Sequence, residues 1–100
     1  MDRVSFVESL QGVNYPMMLV DFFDHIIALK NIVEDSGSIT VLETDENSIK
    51  FSIVFSSEKK LDMALRVINS LNGYINIYGR QILVNSEVNL TDKTIKIKLM

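Results

Sequence analysis

The run from Pro16 to Glu34, PMMLVDFFDHIIALKNIVE, constrains this chain more than any other feature, because it carries more apolar surface than one helix in a small domain normally hides. On a helix at about 100° per residue, Met18, Phe22, Leu29, Ile32 and Val33 share one side, and Leu19, Val20, Phe23, Ile26 and Ile27 widen it to about 200° or more. Asp21, Asp24, Ala28, Asn31 and Asp35 are left as a narrow polar stripe. A helix lying on one sheet needs an apolar stripe of somewhat over 100°. The surplus therefore calls for a second cover: the N-terminal segment, a second copy of the chain, or another protein.

The remaining elements follow from periodicity and turn chemistry. Arg3 to Ser9 fits both the alternation of a strand, through Val4 and Phe6, and helical spacing, through Val4, Val7 and Leu10. Gly12 and Asn14-Tyr15-Pro16 break the chain before the first helix, which Ser36-Gly37 ends near Asp35. Ser38 to Thr44 and Ser48 to Phe55 are β-branched, alternating strands joined by Asp45-Glu46-Asn47. Ser56 and Ser57 can cap a second helix reaching about Leu71, with Leu61, Ala64, Leu65, Ile68 and Leu71 on one face. Asn72-Gly73 stops it. Strands then follow at Tyr74 to Ile77, Gln81 to about Asn85, Val88 to Leu90 and Thr94 to Leu99, with turns at Tyr78-Gly79 and Thr91-Asp92-Lys93.

This order, (β)αββαββ, predicts an α+β, ferredoxin-like sandwich with two helices on one face of an antiparallel sheet and an added C-terminal strand. Ile49, Phe51, Ile53 and Phe55 form the covered side of their strand, with Lys50, Ser52 and Val54 facing the other way. Ile95, Ile97 and Leu99 point inward likewise, and Thr94, Lys96 and Lys98 outward. With 100 residues, 47% of them hydrophobic, and no linker or repeat, the chain reads as one domain over 1–100.

The stretch from Ala64 to Val84, ALRVINSLNGYINIYGRQILV, resembles the second helix and last strand of the RNA-recognition motif, through Leu71-Asn72-Gly73, Gly79-Arg80 and Ile82 to Val84. The likeness covers about the last two-thirds of the chain and implies the ferredoxin-like fold. That family stacks bases on aromatics of the exposed sheet face. Here Phe51 and Phe55 share a face with Ile49 and Ile53, and burying that set is favoured by several kcal/mol at about 25 cal/mol per Å². RNA binding through Lys50, Lys96 and Lys98 on the open face is accordingly the alternative function.

A net charge of −3 removes the broad basic field that drives nucleic-acid association and turns the expectation toward protein partners. No cysteine is available for disulfide or thiolate chemistry, and the N-terminus lacks the basic start and long apolar stretch of a signal peptide. A soluble, cytoplasmic protein without membrane contact is expected. His25 is the only histidine, beside Asp21 and Asp24, with no second ligand cluster or nucleophile near it in sequence. Glu43, Asp45 and Glu46 are hairpin acids without calcium-loop spacing. No catalytic site, metal site or cofactor is therefore expected. The function that follows is non-enzymatic protein binding, as a homodimer or as a small inhibitor or adaptor. It would act through Met18, Leu19, Val20, Phe23, Ile27 and Met63, with Phe23 and Ile27 forming a ridge.

Overall fold

In a computed structural model that describes residues 16–45, 47–71 and 73–100, the chain is an α+β protein built on an open antiparallel sheet. The described elements are α1 (Pro16–His25), α2 (Ile27–Ser36), β1 (Gly37–Thr44), β2 (Ile49–Phe55), α3 (Glu58–Ser70), β3 (Gly73–Ile77), β4 (Arg80–Asn89) and β5 (Thr94–Leu99). The expected strand at Arg3 to Ser9 lies outside the described residues.

The long apolar run is two helices rather than one. Ile26 leaves helical geometry, at φ −113° and ψ 73°, although its N–H still donates to the Phe22 carbonyl and its own carbonyl accepts from Lys30 N–H, both at 3.1 Å. A straight helix through both would be about 30 Å long, at 1.5 Å per residue. Bent at Ile26, α1 lies against β3 and α2 lies over β1 and β2. The two apolar arcs then face the same sheet from different directions. That bend answers the surplus: Met18, Leu19, Phe22, Phe23, Ile26, Leu29, Ile32 and Val33 are all buried.

The strands lie in the order β1-β2-β5-β4-β3, each pair antiparallel. The place beside β2 is taken by the C-terminal strand, β5, with Phe51 opposite Ile97 and Ile53 opposite Ile95. The separate strands expected at Gln81 to Asn85 and Val88 to Leu90 are one continuous strand, β4. Ser86 and Glu87 interrupt its apolar pattern because its second half is exposed, whereas Ile82 and Val84 are buried.

Local chemistry accounts for the joints. Asp45 accepts from the N–H groups of Asn47 and Ser48, each at 2.8 Å, which closes the β1–β2 hairpin and holds the carboxyl below its ordinary range. Tyr78 and Gly79 have φ of +50° and +78°, the pair of positive values that a two-residue I′ turn between β3 and β4 requires. Asn89 and Asp92 exchange two hydrogen bonds across the β4–β5 turn. Ser57 is extended and its Oγ accepts from Lys60 N–H at 3.2 Å, an N-cap for α3. Lys60 then bonds Asp35 at the end of α2, tying the two helices together and lowering the Asp35 pKa.

Phe51 is fully buried at the centre of the core, with the Phe22 ring 6.2 Å away edge-on and the Phe23 ring 5.8 Å away at a tilt. Phe22 and Phe23 meet edge to face at 5.4 Å. These are the separations at which aromatic rings attract beyond simple burial.

Candidate protein-binding surface

Of the six residues expected to form a contact surface, Met18, Leu19 and Phe23 are buried and Val20 is half-buried against the core. Phe23 is 1% exposed while Ile27 is 61% exposed, so they form no ridge: the bend at Ile26 turns one inward and the other outward. Met63, on α3, is 40% exposed. Ile27 and Met63 are what remains of the predicted surface.

Sequence reasoning missed a different surface, the edge made by β1. The hydrogen-bond pattern shows which backbone groups it leaves open. Phe55 N–H donates to the Lys93 carbonyl at 2.9 Å, so odd-numbered residues of β2 turn their backbone polar groups to the β5 side and even-numbered ones toward β1. Their partners across β1 are Ser38, opposite Val54, and Thr40, opposite Ser52. Ile39 and Val41 therefore direct N–H and C=O away from the sheet, and β1 has no other strand beside it among the described residues.

Proteins usually blunt such an edge with lysine, proline, brevity or a bulge. β1 is eight residues long, and its stretch Ser38-Ile39-Thr40-Val41-Leu42 carries neither charge nor proline. A shift of register comes only between Val41 and Glu43. Leu42 is 44% exposed, Thr40 is exposed, and Ile39 is buried on the helix side. Above this edge lies α2. Asp35 reaches α3 from one side of it, and by helical spacing Lys30 and Glu34 fall on the opposite side, over the free edge, one turn apart. Lys30 bonds Asp24 at 3.2 Å.

The open face carries the other candidates. Lys50 lies directly opposite Lys98, and Lys96 opposite Ser52. Both are non-hydrogen-bonded pairs, the kind that brings side chains closest. Each row also holds an acid: Glu43 pairs with Lys50, and Glu87 with Lys96. Phe51 and Phe55 point to the helix side, and Tyr74 stands exposed opposite Leu83 at the far edge. His25 is exposed at the end of α1. Among the described residues, no group of three or more His, Cys, Asp or Glu is placed to hold a metal ion, and no helix is long and apolar enough to cross a membrane.

No protein-family model, curated protein or solved structure matches this chain. Fold and surface together define a class: an α+β protein with helices against an open antiparallel sheet and one long edge strand, β1, that is uncharged from Ser38 to Leu42.

Proposed function

We propose that this chain is a non-catalytic protein-binding module whose contact surface is the β1 edge with the outer side of α2. The observation carrying this reading is the uncharged run Ser38 to Leu42 on an edge whose Ile39 and Val41 backbone groups have no strand partner among the described residues. An edge of this kind accepts an added strand through main-chain hydrogen bonds. The layering supports kinship with the ferredoxin-like sandwich, the fold that the likeness to the RNA-recognition motif also implies. A peptide spanning residues 37–44, added to the labelled protein, tests the edge directly. Amide resonances of Ile39 and Val41 are expected to shift while those of β3 do not. Unmoved β1 amides at saturating peptide would defeat the reading.

The convergence of Lys50, Lys96 and Lys98 on the open face favours a second reading, RNA binding. Its test is the salt dependence of binding to a single-stranded oligoribonucleotide, which should flatten when the three lysines become glutamine.

A further inference from the structure

We infer that the open face of the sheet holds a site for a small phosphate monoester, its phosphate set among Lys50, Lys96 and Lys98. The inference goes beyond the protein-binding reading and does not depend on it. It gives the three lysines a ligand other than the RNA of the second reading. Three observations support it.

The first is a like-charge pair left unanswered. Lys50 and Lys98 stand directly opposite each other in a non-hydrogen-bonded pair, the closest kind, where like charges destabilise a sheet. Lys96 is on the same face of β5, one side-chain step from Lys98. Glu43 and Glu87 lie beside Lys50 and Lys96 in register, yet among the described residues none of the three ammonium groups makes an ion pair or a hydrogen bond. Asp45 feels the charge of Lys98, but its Oδ1 is taken by the N–H groups of Asn47 and Ser48. Each ammonium keeps its N–H donors for a ligand.

The second is shape. Lys50, Lys96 and Lys98 line a depression of about 190 Å³ together with Asn85 and Glu87. At about 30 Å³ per water it has room for about six, enough for a phosphate group and too little for a nucleotide. A second depression of about 430 Å³ shares Glu87 and Lys96 with it and runs along β4 and β5 to Asn89, Asp92 and Thr94. Its carboxylate, amide and hydroxyl groups suit an organic part that carries hydroxyls. Aromatic rings for stacking bases are turned away: Phe51 and Phe55 lie on the helix side, and Tyr74 is on β3, two strands from β5.

The third is a buried donor. Ser52 faces the same side, directly opposite Lys96, and is 8% exposed. Its hydroxyl has no hydrogen-bond partner among the described residues. A polar group so buried is normally paired, and a phosphate oxygen held by Lys50 and Lys96 would pair it.

The experiment titrates the full, isotopically labelled chain with glycerol 3-phosphate at fixed ionic strength, with dimethyl phosphate and oligouridylate as comparisons. Amide resonances of Lys50, Ser52, Lys96 and Lys98 are expected to shift saturably, with a Kd of about 1 mM or below. Dimethyl phosphate, a diester with a single charge, should bind at least about tenfold more weakly. Lys50→Gln and Lys98→Gln should each raise the Kd at least about fivefold, and Ser52→Ala about threefold. A thermal melt gives an independent readout. About 10 mM glycerol 3-phosphate should raise the wild-type Tm by about 6–11 °C and that of Lys98→Gln by less than half as much. Without the ligand, Lys98→Gln should melt no lower than wild type, because the like-charge pair is gone. Shifts that do not saturate, an equal response to the diester, or a Kd unchanged in both lysine variants overturns the inference. So does oligouridylate binding at least about tenfold more tightly than glycerol 3-phosphate, in which case the lysines serve the RNA reading. The response of Ile39 and Val41 to the 37–44 peptide decides the protein-binding reading separately.

Discussion

Replacing Phe23 with alanine separates core from contact surface for the residue whose role changes most between sequence and structure. Phe23 is 1% exposed and sits between Phe22, at 5.4 Å, and Phe51, at 5.8 Å. An aromatic side chain buries about 150–250 Å², worth about 4–6 kcal/mol at 25 cal/mol per Å². That is an upper bound, because the unfolded chain already hides part of its apolar surface. Truncations of buried phenylalanine cost about 3–5 kcal/mol, and the two ring contacts put Phe23 in the upper half of that range. A domain of this size loses about 4–8 °C of Tm per kcal/mol, so a fall of about 16–40 °C is expected in a thermal melt followed by circular dichroism. Phe23→Leu, which keeps most of the volume, should lose much less. If Phe23→Ala melts within a few degrees of wild type while self-association is abolished, Phe23 is a contact residue and the burial argument is wrong.

Other expectations follow from the joints of the fold. Ser57→Ala removes the acceptor that caps α3 and should cost about 0.5–2 kcal/mol in urea unfolding, with an unchanged m-value. Gly79→Ala, at φ +78°, should destabilise by about 1–2 kcal/mol through backbone strain alone, since no atom lies within 4 Å of the added Cβ. Asp45 has its folded pKa depressed by the N–H groups of Asn47 and Ser48, so its stabilising effect is complete above the unfolded value near 3.8. It is lost as pH falls below that through the folded pKa. The Asn47 and Ser48 amide resonances should therefore titrate together in that acidic window, and Asp45→Asn should remove the transition.

How much was legible in the sequence depended on how local the cause was. The β1–β2 hairpin, the Ser57 cap and the Tyr78-Gly79 turn are written in a few adjacent residues, and the structure has each of them. The alternation of β2 placed Phe51 and Phe55 in the core, where they lie. The bend at Ile26 has no proline or glycine to announce it. It arises because two apolar stretches fold onto one sheet from different directions, a tertiary cause. The continuity of β4 was hidden because its second half is exposed and its residues are polar to suit. Strand order depends on pairing β5 with β2 across about forty to fifty residues, which no local pattern encodes. For the same reason the missing lysine in Ser38 to Leu42 carries meaning only once β1 is known to be an edge. Of the expected surface, Ile27 and Met63 remain exposed, while the bend took Phe23 into the core.

Hydrogen exchange at the Ile39 and Val41 amides, measured by NMR on the wild-type chain with and without the 37–44 peptide, tests the central claim most directly. With the peptide added as a strand on the edge, both amides should exchange more slowly than in the free chain, while Thr40, bonded within the sheet, stays protected throughout. Exchange at Ile39 and Val41 that is equally fast with and without the peptide would contradict the account.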